Sequence, residues 1–426
     1  MQYWNTTTPR LFFFFLFFTT LTVTLKAQEN SPYSRYGIGN LKSIENVANR
    51  GMGGISIADN NNLIANPSNP ATYTGLKMTS YQVGLEAASV NVKNSTTSNR
   101  TGYTVLSYLN IGLPLSKKIG ASFGLIPVSR SKYSMEQTST LPFSSVVNSY
   151  YGGGGTQKIF VGAAYRMGDF SLGFNTGYLF GNLVNTTDNK FEDSIKVFSN
   201  SVNTRTTLGG VFWQLGAHYD YKLKDEYRIK IGATYTGTQT LNARKEGYWV
   251  TYFGEISDPL YTTQVDSFKE YKGKVKLPAN AGVAITLANG EFWQAGVEVN
   301  YSDWNRYSSY GNPDSLTNAM CIRLGGSITP DVNSVNSYLK KVTYRAGAFI
   351  GRENLIFGGT QLPKSGVTIG AGFPIKRTNM SIGQINASLE IGKRGTTDNN
   401  LLQENYSRFS VGLTFNDKWF LKRRYD

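Results

Sequence analysis

From about residue 79 onward the chain repeats segments of roughly ten residues in which apolar side chains alternate with small or polar ones. A period of two places alternate residues on opposite faces of a strand, so these segments predict strands with two different solvents on their two sides. Phe409, Val411, Leu413 and Phe415 oppose Arg408, Ser410, Gly412 and Thr414. Phe170, Leu172, Phe174, Tyr178 and Phe180 oppose Ser171, Gly173, Asn175 and Gly177. Trp293, Ala295, Val297, Val299 and Tyr301, and again Ile385, Ala387, Leu389 and Ile391, follow the same rule. After residue 28 no apolar run reaches the eighteen or so residues of a spanning helix. If such a chain crosses a membrane, it does so as a barrel.

The pattern predicts fourteen strands, near 79–91, 101–113, 118–129, 156–167, 169–183, 204–222, 226–241, 273–288, 290–302, 319–328, 341–351, 365–376, 379–392 and 405–416. Short turns rich in Gly, Asn, Asp or charge fall at 116–117, 168–169, 224–226, 289–290 and 377–379. Longer polar loops are expected at 130–155, 184–203, 242–272, 303–318 and 393–404, and only 329–340 is long for its class. An even strand number, alternating short and long connections and an outward apolar face define the fold class. It is all-β, a 14-stranded antiparallel transmembrane β-barrel of the outer membrane of a Gram-negative bacterium, with an N-terminal luminal hatch segment. The short turns then face the periplasm. Tyr165, Phe170, Tyr219, Tyr221, Tyr227, Tyr301, Trp304, Phe373 and Phe415 are expected to form the interfacial girdles. A pair of soluble β-sandwiches also alternates, but it has no need of the short-long loop rhythm.

Composition sets further bounds. Aromatic residues make up 13% and charged residues 17%, against disorder, and 45 Gly with 27 Tyr suit tight packing in an all-β chain. The single His218 and single Cys321 exclude an internal disulfide and any Cys or His metal cluster built from this chain alone, so no metal or cofactor is expected. A Ser or Asp nucleophile would have only His218 to orient it, and no carboxylate pair stands out, so no enzymatic activity is expected.

Residues 1–27 carry Arg10, an uncharged stretch from Leu11 to Leu25 and the small Ala27, which reads as a secretory signal peptide. Without it, 41 basic residues remain against 28 acidic ones. This positive charge suits outer-membrane lipid and lipopolysaccharide; nucleic acid is not an expected partner. The division that follows is a hatch or plug segment at 28–78, a barrel at 79–416 and a basic periplasmic tail at 417–426.

Arg50-Gly51-Met52-Gly53-Gly54, Ala58-Asp59 and Asn69-Pro70-Ala71, followed by fourteen strands, resemble the N-terminal region and plan of the long-chain fatty acid transporter (FadL/TodX) superfamily of outer-membrane barrels. A near-copy, Asn66-Pro67-Ser68, precedes the motif and leaves open which Asn-Pro is the counterpart. The SPYSRYGIGN start at Ser31 and the chain beyond Phe415 resemble a Bacteroidota branch of that superfamily. The resemblance implies passive transport of small hydrophobic molecules, with Gly51, Gly53, Gly54, Asn69, Pro70 and Ala71 in a hatch folded into the lumen. A plain seal of the periplasmic end is the alternative role for that segment.

The resemblance also implies a lateral opening near the third strand, and Pro127, which removes a ladder hydrogen bond there, is the candidate gate. The same strand could instead simply end at the extracellular rim, and Pro278 and Pro374 interrupt other strands. Some Bacteroidota relatives serve the type IX secretion apparatus. A scaffold barrel binding periplasmic or outer-membrane protein partners is therefore the competing expectation, with Lys418, Lys422, Arg423 and Arg424 as a docking tail. Simple solvation near anionic headgroups accounts for the same charges. Strand parity places Glu86, Arg166, His218, Arg228, Lys230, Glu298, Arg323, Arg345, Glu390 and Arg408 on the lumen side, where pairing among themselves is expected.

Overall fold

The computed structural model describes residues 29–142, 144–191, 197–224, 226–253, 262–377 and 381–419. The signal stretch at 1–27 and Lys422, Arg423 and Arg424 lie outside these residues. A two-residue strand β1 (Asn40–Leu41) and one turn of helix α1 (Val47–Arg50) precede the sheet. The wall begins with β2 (Thr79–Lys93), β3 (Ser98–Pro114), β4 (Ile119–Leu141), β5 (Ser144–Met167), β6 (Phe170–Phe191) and β7 (Ser199–Lys222). It continues through β8 (Tyr227–Thr236), β9 (Gln239–Tyr252), β10 (Thr262–Leu277), β11 (Asn280–Asn289) and β12 (Trp293–Ser302). After a short β13 (Ser308–Ser309) come β14 (Ala319–Ile328), β15 (Thr343–Phe357), β16 (Thr360–Arg377), β17 (Ser381–Gly395) and β18 (Gln403–Asp417).

The sheet is antiparallel and closes on itself, with β18 pairing β2 from Gln403↔Lys93 to Asp417↔Thr79 without a register shift. The barrel has fourteen staves. β8 and β9 form one stave, because both pair with β7, and β10 and β11 form the next, pairing with β9 and β8. The first of these breaks falls at Gly237-Thr238 and the second at Pro278-Ala279, where proline supplies no ladder donor.

The outward face is apolar as the alternation predicts. Leu172, Phe174, Ile231, Ile285, Leu324, Val367, Ile369 and Leu413 are exposed on it. Tyr165, Phe170, Tyr219, Tyr221, Tyr227, Tyr301 and Phe415 are exposed near strand ends, as girdle residues must be. Trp304 is not one of them. It is 4% exposed, packed beside Tyr307 in the buried cluster inside the barrel, because the chain turns inward through a short 3₁₀ segment after β12.

Three expected loops are largely strand. β4 and β5 run on to Leu141 and Ser144, β6 and β7 to Phe191 and Ser199, and β9 and β10 to Tyr252 and Thr262. Beyond the bilayer the outward face of a hairpin meets water instead of lipid, so the apolar-out alternation that marks a spanning strand is lost although the ladder continues and inward Tyr133, Ala243 and Tyr252 stay buried. The connection between β14 and β15, residues 329–342, is long where the other turns at its end of the barrel are short.

Val297 lies midway between the outward aromatic residues Trp293 and Tyr301 of β12, paired to Leu324 and Ile285. Val297→Arg is expected to destabilise the barrel by about 2–4 kcal/mol, the cost of a cation near the bilayer midplane. Denaturant titration in lipid vesicles reads this directly.

Candidate functional site: a breached wall and the segment inside it

The lumen is occupied by residues 29–78. At the short-turn end, Asn69 is fully buried and joins the segment to the wall. Its Nδ2 donates to Ile57 O (2.7 Å) and Ala217 O (3.0 Å), and its Oδ1 accepts from Ala71 N–H (3.1 Å). Asn66 bonds only within the segment, to Ser56 O (2.6 Å), Asp59 O (3.1 Å) and Ser68 N–H (3.1 Å). Both Asn-Pro repeats touch the barrel: Pro67 O and Ser68 O accept from Asn175 Nδ2 (3.3 Å) and Gln214 Nε2 (2.9 Å), while of the two asparagines Asn69 is the one whose own amide reaches the wall. Pro70 begins a 3₁₀ turn, Pro70–Gly75, whose Tyr73 hydroxyl reaches Asn175 Oδ1 at 2.9 Å.

The wall makes room by lacking side chains. A Cβ on Gly216 would overlap Asn69 Oδ1, and one on Gly173 would overlap the Pro70–Ala71 peptide. Gly51 and Gly53 lie in the same way against Gly370 and Gly347, and Gly53 holds φ +71°, which an L side chain resists.

Ion pairs fix the middle of the segment. Arg50 Nη1 meets Glu86 Oε2 at 2.7 Å, and Arg408 joins Glu86 (3.5 Å) to Glu390 (3.0 Å). Arg323 bridges Glu45 (2.5 Å) and Glu298 (2.8 Å), while Glu298 Oε2 also accepts from Ser56 N–H (2.7 Å) and Ile57 N–H (2.8 Å). Of the expected lumen charges, Glu86, Glu298, Arg323, Glu390 and Arg408 thus pair, Glu86, Glu298 and Arg323 doing so with the inner segment as well, whereas others meet uncharged partners. Arg345 donates to Asn386, Arg166 reaches Thr74, and His218 Nε2 lies 3.2 Å from Ala58 O. Arg228 binds Asp220 at the periplasmic rim. Burial pushes the Glu45 carboxyl up, but the guanidinium groups of Arg323 and Arg50 outweigh this and hold it below the usual carboxylate range.

The wall is breached at one seam. β3 and β4 pair from Pro114↔Gly120 to Leu109↔Leu125 and no further. β3 then follows β2 alone and β4 follows β5 alone, each bulged at the fork: β2–β3 shifts register between Gly84 and Leu85, β4–β5 between Pro127 and Ser129. Pro127 therefore stands two residues beyond the last closed rung, at Leu125. At Pro374 the β16–β17 ladder shifts register but resumes beyond it, at Lys376↔Gly383.

Residues 30–42 form a strap along the freed edge of β4. Asn40 and Leu41 pair with Arg130 and Ser129. Lys42 N–H donates to Val128 O (2.9 Å), Ser31 N–H to Lys132 O (3.0 Å) and Ser129 Oγ to Ile38 O (2.6 Å). Asn30 exchanges two bonds with the Ser134 backbone, and Glu29 pairs with Arg130. Toward β3, Lys42 Nζ sits 3.8 Å from the Tyr103 ring centroid and 3.5 Å from Glu86.

Behind the strap lies a cavity of about 380 Å³, with Ile38, Ile44, Val128, Leu179, Phe212 and Leu277 among its apolar walls. Lys158 also lines it, 5.1 Å from the Phe212 ring centroid. Strand parity alone did not single out these residues or the strap. A signal for the cavity exists where alternation fails on adjacent strands, at Ile159-Phe160-Val161, Tyr178-Leu179-Phe180 and Val211-Phe212-Trp213, since strands apolar on both faces are buried on both. Of the tail, Lys418 is exposed just past β18.

A family model described as BamG matches residues 10–426. Among solved structures, the P. putida toluene transporter TodX is similar with a TM-score of 0.59 at 15% identity, over 91% of this chain and 100% of that one. The Ralstonia pickettii toluene transporter TbuX gives 0.56 at 14%, over 89% and 99%. A Pseudomonas aeruginosa FadL homologue gives 0.54 at 12%, over 88% and 98%. At such identities the likeness is one of fold. No curated protein sequence matches.

Two outcomes test the docking of the inner segment. Gly216→Val overfills the seat of Asn69 at a cost of about 1–3 kcal/mol, so trypsin cleavage after Arg50 or Lys77 should quicken roughly tenfold while the unboiled barrel keeps its gel shift. The lowered carboxyl of Glu45 makes its tie to Arg323 fully effective above about pH 4.3 and lost as pH falls through the lowered value. Tryptic-site exposure measured after acid pulses should therefore rise only as the pH falls below the ordinary carboxylate range, and Glu45→Gln should flatten that response.

Proposed function

The chain belongs to the BamG family and carries the fourteen-stranded barrel fold of the FadL/TodX superfamily, and from that footing we propose that it is a passive outer-membrane carrier for small hydrophobic molecules. One observation carries the reading. The partly apolar cavity and the breach between β3 and β4 lie on opposite sides of a strap held to the wall by a few main-chain bonds. A compound entering from the long-loop end meets a pocket whose volume suits a small ligand and which offers it an apolar side at Ile38, Ile44, Val128, Leu179, Phe212 and Leu277, with charged groups such as Glu298 and Arg323 elsewhere on its wall. Strap displacement connects that pocket to the membrane, so the compound leaves sideways into hydrocarbon without crossing the sealed, ion-paired lower lumen.

In this reading Pro127 is the gate residue. Its missing N–H and the bulge beside it end the β3–β4 ladder, and Val128 next to it presents its carbonyl to the strap. Gly51, Gly53, Gly54, Asn69, Pro70 and Ala71 form the hatch that keeps the periplasmic end shut. The toluene transporters of similar fold support a small apolar cargo. Transport of this kind needs no reaction and no cofactor.

A disulfide tests the gate. Leu41 and Ser129 are directly opposed in the register. In a Cys321→Ser background, Leu41→Cys with Ser129→Cys should lock the strap when oxidised. Flux of a small aromatic hydrocarbon across a lipopolysaccharide-containing bilayer should then fall by about tenfold or more and recover with reductant. Undiminished flux through the oxidised protein would overturn the proposal.

A further inference from the structure

Strands β15 to β18 with β2 and β3 form one continuous side of the wall, and its outer face carries a charge pattern that transport does not use. One hydrogen-bonding row crosses all six strands through Ile350, Ser365, Lys393, Asn405, Asn91 and Arg100. These residues have the outward parity of Leu85, Phe409, Val367 and Ile369, which are exposed. The row lies toward the long-loop end, which is the extracellular end of such a barrel. A surface groove of about 840 Å³ runs along it.

Its chemistry changes across the membrane normal. Toward the bilayer centre lie Val367, Ile391 and Phe409, all exposed and apolar. In the row itself, Lys393 and Arg100 are separated by the two amides of Asn405 and Asn91. Three strand spacings put the two cationic positions about 14 Å apart. Arg100 is held down on the wall, its Nε donating to Ser89 Oγ at 2.9 Å. Exposed Arg352 and outward Lys93 continue the positive rim. Among the described residues, no Asp or Glu shares the upper half of this outer face. The carboxylates of these strands, Glu86, Glu353, Glu390 and Glu404, turn into the lumen and pair there.

Two cations set apart, amides between them and an apolar floor below match a headgroup with two separated phosphates, sugar hydroxyls between and acyl chains beneath. We propose that this face is a binding site for the phosphorylated glycolipid of the outer leaflet. Arg100 and Lys393 take its phosphates, Asn91 and Asn405 its sugar, and Ile350, Val367 and Ile391 its chains. The site rests on the barrel's placement in the outer membrane and not on the transport reading. A diacyl phospholipid carries a single phosphate and fills one end of the row only.

The purified full-length barrel, stripped of lipid in detergent, is titrated with bis-phosphorylated lipid A, with its monophosphoryl form or with phosphatidylglycerol, and adducts are counted by native mass spectrometry. Wild type, and the charge-matched control Lys117→Glu with Lys118→Glu at an exposed periplasmic turn, should hold one lipid A. Arg100→Glu with Lys393→Glu should weaken this at least tenfold, and monophosphoryl lipid A should bind wild type several-fold more weakly. If the glutamate pair misfolds, shown by loss of the unboiled gel shift, Arg100→Gln with Lys393→Gln replaces it. Lipid A retention by the double variant equal to wild type, or displacement of lipid A by equimolar phosphatidylglycerol, would overturn the assignment.

Discussion

A backbone N–H or C=O left unpaired in hydrocarbon costs several kcal/mol, and everything in this molecule is arranged around that constraint. The sheet meets it by closing, β18 against β2, so that its first and last strands leave no edge. At the β3–β4 fork the ladder stops, and the freed edge of β4 is met by a strap from the same chain. A short β1 borrowed from the N-terminal segment occupies part of the place of a wall strand. The seam is thus the part of the wall held by the fewest main-chain bonds, which is where a barrel can open at least cost.

The remainder of the inner segment is anchored by a different chemistry. Its lower half sits on glycines that leave room for backbone, with Asn69 spanning hatch and wall. Its middle is fixed by Arg50, Glu45 and the wall carboxylates and guanidinium groups they meet. Breaking one partner of such a buried pair leaves an uncompensated charge, typically costing 3–5 kcal/mol. The strap above has mainly hydrogen bonds worth about 1 kcal/mol each. This gradient leaves the inner segment held firmly below and more lightly above.

Strand number, order and outward face were legible in the sequence because lipid on one side and lumen on the other impose a strict period of two, visible in Trp293 to Tyr301 or Phe409 to Phe415. Where that contrast vanishes the reading failed. The hairpin extensions past Arg130, Val184 and Leu241 have water where the spanning strands have lipid, and without an apolar outward face they read as loops although inward Tyr133, Thr186 and Tyr252 are buried. Trp304 reads as a girdle residue by position, but a turn after β12 carries it inside. Leu179 and Phe212 break the alternation because the lumen is apolar at their level. The strap was illegible for another reason: Asn30, Asn40 and Leu41 pair with residues about ninety or more positions away, and two paired residues of strand leave no periodic trace.

The claim on which the rest depends is that residues 30–42 complete the wall at the seam and leave it when cargo is present. Residue-resolved hydrogen exchange in lipid nanodiscs addresses it through the Ser31 and Lys42 amides, which donate to Lys132 and Val128. Both should exchange slowly in the empty barrel and lose protection when a small aromatic hydrocarbon saturates the bilayer, while the closed rungs from Leu109 to Pro114 stay protected. Rapid exchange of Ser31 and Lys42 from the outset, or protection indifferent to the hydrocarbon, would contradict the account.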